Sequence, residues 1–238
     1  MTRTATVSSP KKSTDNVRVG RRERNKQEKL NRILVAARAL FRAKGFEGTT
    51  TQQIAEAADI GSGTLFLYAK SKEDLLVMVF KDEITDVLER TFVTLPGDKP
   101  LEDQIIRLFE GFIAYHKRDL ELSRALIKEL AFLGNPERKR DVSKLMTSVY
   151  GRIAELVSAA QAHGELRDNI SADFAARGLF AIYYHYLQSW LGGYSSLPDF
   201  RRMLQESLAI FVKGLKPTDT PATKKPARAR KPGKARKA

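Results

Sequence analysis

The chain has 238 residues, 42% of them apolar and 29% charged, with a formal net charge of +14 and no cysteine. That is enough apolar material to bury a core in one or two domains, and the missing thiols exclude a disulfide framework and thiolate metal sites. Helix formers dominate, strand-like alternation is missing, no apolar run approaches the roughly 18 residues of a membrane span, and the N-terminal stretch MTRTATVSSPKKSTD lacks the apolar centre of a secretory signal, so an all-α cytoplasmic protein without membrane contact is expected.

The charge is unevenly placed. Residues 1–26 carry eight Lys or Arg against two acids, net +6, and residues 216–238 carry nine against one, net +8, so the body between them is neutral. A neutral globule with two cationic ends is attracted to a polyanion. Residues 1–23 read as a disordered basic arm, polar and poor in apolar side chains. Arg18, Arg21 and Arg22 lead from it to Arg24 and Lys26, which add contacts to the phosphates of such a polyanion if the arm is more than a solvated tail.

The first helix is predicted from Arg24 to Lys44, with Leu30, Ile33, Leu34, Ala37, Leu40 and Phe41 as its apolar stripe. Gly45 stops it, and Phe46 can pack back on its end. Thr49, Thr50 and Thr51 are N-cap candidates for the next helix, and Thr50 is the one chosen. Ile54, Ala55 and Ala58 give that helix its buried face. Asp59-Ile60-Gly61 breaks it, and Ser62 or Thr64 opens a further short helix carrying Leu65 and Tyr68. Two short helices around a tight turn form a helix-turn-helix, whose second member enters a DNA major groove.

Ser71-x-x-Asp74 has the form of a cap with a reciprocal acid, and it opens a long fourth helix with Leu75, Leu76, Val79, Phe80, Ile84, Val87 and Leu88 buried. Lys72 sits in the first turn, where a cation opposes the helix dipole and a phosphate would relieve the conflict. The Leu95–Pro100 turn ends this helix. Five more follow, at about 100–117, 121–133, 136–162, 172–191 with Ser171 as cap, and 198–215. The eighth is apolar nearly all round, so packing inside one subunit covers one face and a partner subunit the other.

Gly63, Thr64, Leu65, Tyr68, Ser71, Lys72, Glu73, Asp74 and Leu75 resemble the motif of the TetR family of bacterial transcriptional regulators. Asp59 stands where that family has a turn glycine, Phe66 where it has a tyrosine, and Ala69 where it has a phenylalanine. Gly164-Glu165-Leu166-Arg167 followed by Ser171-Ala172-Asp173 is similar to the family's turn before its penultimate helix. The resemblance implies nine helices, with a three-helix DNA-binding domain at 24–72, a helical ligand-binding and dimerisation domain at 73–215, and a backbone contact by Lys72. It also implies dimerisation through the last two helices. The basic tail at 216–238, rich in Lys, Arg, Pro and Ala, lies outside the pattern and is expected to be disordered.

Phosphates are therefore assigned to Thr50, Thr51, Tyr68, Lys72, Arg24 and Lys26, and base edges to Ser62, Thr64, Phe66 and Leu67. Without Arg, Asn or Gln among the base readers, direct readout is expected to be modest, with DNA shape contributing. Phe109, Phe112, Tyr115, His116, Met146, Tyr150 and Tyr183 are candidate walls for an apolar or aromatic small-molecule effector of unknown identity, the alternative for each being ordinary core. Tyr183, Tyr186, Leu187, Trp190, Leu204, Leu208 and Phe211 are assigned to the dimer interface. No cofactor and no metal are expected, since the three histidines are scattered. No phosphate-binding glycine loop, His-Glu-x-x-His or nucleophile elbow is present, so no enzyme is expected. The function that follows is a homodimeric repressor of double-stranded DNA at a palindromic operator, cytoplasmic and nucleoid-associated. The alternative is a nucleoid-type DNA-binding protein dominated by its basic tails.

Overall fold

A computed structural model describes residues 20–217; the expected arm up to residue 19 and tail from residue 218 lie outside the described residues. Among the described residues there are helices and turns and no strand: α1 (Arg21–Lys44), α2 (Thr51–Ala57), α3 (Ser62–Leu65), α4 (Lys72–Val93), α5 (Leu101–Lys117), α6 (Leu120–Ala131), α7 (Pro136–Ala162), α8 (Ala172–Leu191) and α9 (Leu197–Leu215). The seventh and eighth begin and end where the sequence places them.

Three differences have physical reasons. Helix α1 starts at Arg21, not Arg24, because Gly20 takes an extended N-cap conformation and nothing in Arg21-Arg22-Glu23 breaks a helix. Residues 21–23 of the expected arm are thus helical. Helix α6 ends at Ala131, two residues early; Phe132 leaves the helical region at φ −137 and is 90% exposed, so no burial holds a further turn. Helix α3 closes after four residues, and Tyr68 stands on the turn that follows rather than on the helix.

By packing, the described chain forms two compact units, residues 20–85 with 116–142 and residues 86–115 with 143–217. The first therefore contains α6 and the opening turns of α7 beside the helix-turn-helix.

In the first unit α1 packs on α2 and α2 on α3, with Ile33, Ala37, Phe41, Ile54, Ala55 and Leu65 buried. Arg38 and Arg42 of α1 reach Asp82 and Glu83 of α4, each at 2.5 Å. Asp74, in the first turn of α4, is the polar centre of the unit at 7% exposure. Its carboxylate accepts the backbone N–H of Lys70 at 2.9 Å and the Asn135 side-chain amide at 2.9 and 3.0 Å, while Ser71 Oγ accepts the Asp74 N–H. Asn135 in turn caps α7, its Oδ1 accepting the N–H of Glu137 at 2.9 Å. One amide thus ties the start of α4 to the start of α7.

In the second unit the Gly164-Glu165-Leu166-Arg167 turn serves two helices at once. Gly164 supplies the left-handed φ of 77° that the reversal needs. Glu165 accepts the N–H of Leu101 at the positive end of α5, at 3.0 and 3.2 Å. Arg167 donates to the carbonyls of Leu215 and Gly214 at the negative end of α9, at 2.9 and 2.6 Å. Acid at a helix start and base at a helix end match both dipoles. Leu166 between them is buried.

Candidate nucleic-acid interface

The turn between α2 and α3 depends on Asp59, which holds φ 53, a left-handed conformation that Asp tolerates better than most side chains. Ala58 and Ile60 close the turn by donating to Ile54 and Ala55 carbonyls, at 2.9 and 3.0 Å. Leu65 is fully buried and Ala55 nearly so, which fixes the angle between the two helices.

The three threonines divide their work. Thr49 is buried and its hydroxyl donates toward the Gly45 and Leu40 carbonyls at 2.7 and 3.2 Å, closing the end of α1. Thr50 is the N-cap of α2 and forms a full capping box with Gln53: its Oγ1 accepts the Gln53 N–H at 3.2 Å, and the Gln53 side chain accepts the Thr50 N–H at 3.1 Å. The Thr50 hydroxyl acts as acceptor in that box, so its own hydrogen stays available for a phosphate oxygen. Thr51 is half-buried in the first turn.

Along the recognition element Ser62 is exposed and Thr64 half-buried. Phe66 is 43% exposed and Leu67 80%, although both are large and apolar. Tyr68 is half-buried, and Ala69, small where the resembling family has an aromatic ring, is buried.

Lys72 is more engaged than its sequence position implies. Its Nζ donates to the Phe46 carbonyl at 2.8 Å, lies 4.3 Å from the Phe46 ring centroid and stands 3.9 Å from a Glu47 carboxylate oxygen. It therefore fastens the start of α4 to the turn after α1, and an ammonium with three N–H groups retains donors beyond the one given to Phe46. Arg24 and Lys26 are exposed on α1. With Arg21 and Arg22 they crowd cations at the positive end of a helix dipole, with only Glu23 of opposite sign in that first turn.

Of the expected effector walls, Phe109, Phe112 and Tyr183 are brought together and buried, Tyr183 stacking on Phe109 at 4.6 Å and lying 5.9 Å from Phe112. Tyr150 joins the cluster through Phe180, 5.4 Å away edge to face. Tyr115 and Met146 are half-buried. His116 is buried, and its Nδ1 meets Ser123 Oγ of α6 at 3.0 Å.

The expected interface residues differ in how much surface they leave uncovered. Tyr183, Leu187, Trp190, Leu204 and Leu208 are between 0% and 8% exposed within the single chain, so their surface is already used by their own core. Tyr186 and Phe211 are half-buried; Tyr186 pairs its hydroxyl with Ser207 at 2.8 Å, and Phe211 lies over Gly178, where a Cβ would come within 2.5 Å of the ring. Phe174, one turn before Gly178, and Ile210, beside Phe211, are 76% and 74% exposed. Sequence periodicity did not separate these outward residues from the core ones.

Among the described residues no helix is long and apolar enough to cross a membrane, and no group of three His, Cys, Asp or Glu is placed to hold a metal ion. The model of bacterial regulatory proteins of the TetR family matches residues 33–79, which span the helix-turn-helix and the start of α4. The fatty acid metabolism regulator protein of Bacillus subtilis is 20% identical, over 71% of this chain and 86% of its own. The transcriptional repressor KstR of Rhodococcus jostii is 27% identical, over 78% and 84%. Among solved structures, Thermus thermophilus FadR, a TetR-family transcriptional repressor in complex with lauroyl-CoA, superposes with a TM-score of 0.66 at 26% identity, covering 82% of this chain and 99% of that one. A capped, tightly turned α2–α3 pair with an exposed reading edge, matched by that model and embedded in that fold, places the chain in the TetR family of bacterial regulatory proteins as a DNA-binding transcriptional regulator.

Proposed function

We propose that the protein is a homodimeric repressor that grips a palindromic operator with two α2–α3 elements and lets go when an acyl-CoA thioester occupies its second unit. The observation that carries the DNA half of this reading is the exposure of Phe66 and Leu67, 43% and 80%, at the end of α3. Two neighbouring apolar side chains left uncovered on a recognition element are suited to thymine methyl groups in the major groove. Ser62 and Thr64 supply hydrogen bonds to base edges. Thr50, Thr51, Tyr68, Lys72 and the cationic start of α1, including Arg24 and Lys26, supply phosphate contacts. Phe174, Ile210, Phe211 and Tyr186 supply the dimer face, which replaces the buried residues first assigned to it. The effector class comes from the Thermus relative, whose crystals hold lauroyl-CoA. The aromatic core around Tyr183 gives an acyl chain apolar surroundings, and the ligand regulates only by binding the two states with different affinity.

Binding to fragments selected from the genome tests the division of roles. Lys72→Ala should weaken binding to all fragments alike and flatten the dependence of log K on log salt by about one unit. Leu67→Ala should leave the slope unchanged and reduce discrimination between operator and unrelated duplex. If Lys72→Ala lowers only the melting temperature and leaves the slope intact, Lys72 is a structural fastening and no phosphate contact. Deleting residues 216–238, which carry net +8, should lower affinity for unrelated duplex far more than operator preference. A truncated chain that loses its operator preference would reverse that assignment.

A further inference from the structure

Tyr183 is 2% exposed and enclosed by aromatic rings: Phe109 stacked at 4.6 Å, Phe180 at 5.7 Å, Phe112 at 5.9 Å and Phe200 at 6.2 Å. Its hydroxyl, inside that shell, has no hydrogen-bond partner. Buried polar atoms are almost always paired, and a buried tyrosine usually finds an acceptor for its O–H. Phenylalanine would fill the same space without leaving a donor unpaired. Burial, with the Glu110 carboxylate nearby, pushes the phenol pKa well above its ordinary value, so the group is a neutral donor under working conditions. Glu110 is itself held by a two-pronged pair with Arg201 at 2.7 and 2.8 Å, so that carboxylate is engaged elsewhere.

We propose that the Tyr183 O–H is the effector's polar anchor, donating to the carbonyl of the acyl chain when the ligand enters the aromatic shell. The inference rests on the acyl-CoA reading above and sharpens it. A donor in apolar surroundings selects a neutral acceptor, because an ionised carboxylate would lose its hydration there without a counter-charge. A thioester carbonyl at the head of a hydrocarbon chain meets both conditions: the methylenes replace ring contacts, and the carbonyl satisfies the orphaned donor. The charged remainder of the ligand stays outside the shell.

The experiment is a double-mutant cycle between protein and ligand, using full-length protein, lauroyl-CoA and its thioether analogue S-dodecyl-CoA, which lacks the carbonyl. Tyr183→Phe should bind lauroyl-CoA about tenfold more weakly than wild type, the size of one hydrogen bond in a dry site, and bind the thioether equally well. The unliganded variant should melt at the same or a higher temperature, since it no longer buries an unpaired hydroxyl. Equal losses for both ligands, no loss for either, or a lower melting temperature would each overturn the assignment of Tyr183. Failure of wild type to bind either ligand would overturn the effector class and the anchor with it. Tight wild-type binding with no effect of the variant removes the anchor alone.

Discussion

Replacing Asn135 by alanine should cost the first unit about 3 kcal/mol of folding stability, more than an exposed ion pair typically contributes. Two losses combine. The Asn135 amide donates to both oxygens of the buried Asp74 carboxylate, and removing a donor from a buried charged group typically costs about 1.5–3 kcal/mol. The same side chain caps α7 through its Oδ1, worth typically about 1 kcal/mol. Asn135→Ser separates the two, because serine caps a helix well and is too short to make the second contact. It should recover the capping part only. Urea unfolding of the three proteins measures this. Equal midpoints for alanine and wild type would mean that water satisfies Asp74 without cost. Because Asp74 also holds the Lys70 N–H beside the recognition element, operator affinity should fall with stability in Asn135→Ala.

Acidification should weaken the fold between about pH 6.5 and pH 4. Burial lowers the pKa of His116 from 6.5 to about 4, where its ring sits against Ser123 at the join of α5 and α6. Ser123 Oγ also donates to the His116 carbonyl at 3.2 Å, which leaves its lone pair for an Nδ1–H and suits that tautomer of the neutral ring. In this window the unfolded chain takes up a proton that the native state refuses. The stability present above pH 6.5 is therefore lost as pH falls toward 4, by on the order of 3 kcal/mol in all. Titrating carboxylates add their own acid sensitivity, so the informative quantity is a difference. His116→Gln should lose less stability than wild type between pH 7 and pH 4.5 in urea melts, whatever its stability at pH 7. Parallel losses would show that His116 protonates at its ordinary pKa in the native state.

The helices were legible because each carries its own stop signals. Gly45, the Asp59–Gly61 turn, the Pro-rich break after Leu95 and the Ser171 cap are local features, and a local reading finds them. The capping role of Thr50 was equally local. What sequence could not separate was inside from outside on α8 and α9. Leu204, Leu208 and Trp190 are as apolar as Phe174 and Ile210, and only the packing of neighbouring helices shows that the first three are spent within the subunit. The tie between Asp74 and Asn135 was invisible for a related reason: 61 residues separate the partners, and an Asn before a Pro reads as an ordinary turn. Lys72 was found as a cation in an unfavourable place, but its bond to the Phe46 carbonyl needed the fold. The same holds for the contact of His116 with Ser123 on the next helix.

The grouping of α6 and the first turns of α7 with the helix-turn-helix bears on how such a regulator can change its target. The body that carries the reading edge is assembled from two stretches of sequence with residues 86–115 between them. It is not one continuous segment: a crossover at residue 72 would pair one parent's Asp74 with the other parent's α2–α3 pair, and a crossover between 74 and 135 would part Asp74 from the Asn135 amide that it accepts here. Point changes at exposed positions of α3 and the turn after it, such as Ser62 and Leu67, touch none of these ties and should leave the stability of the unit unchanged.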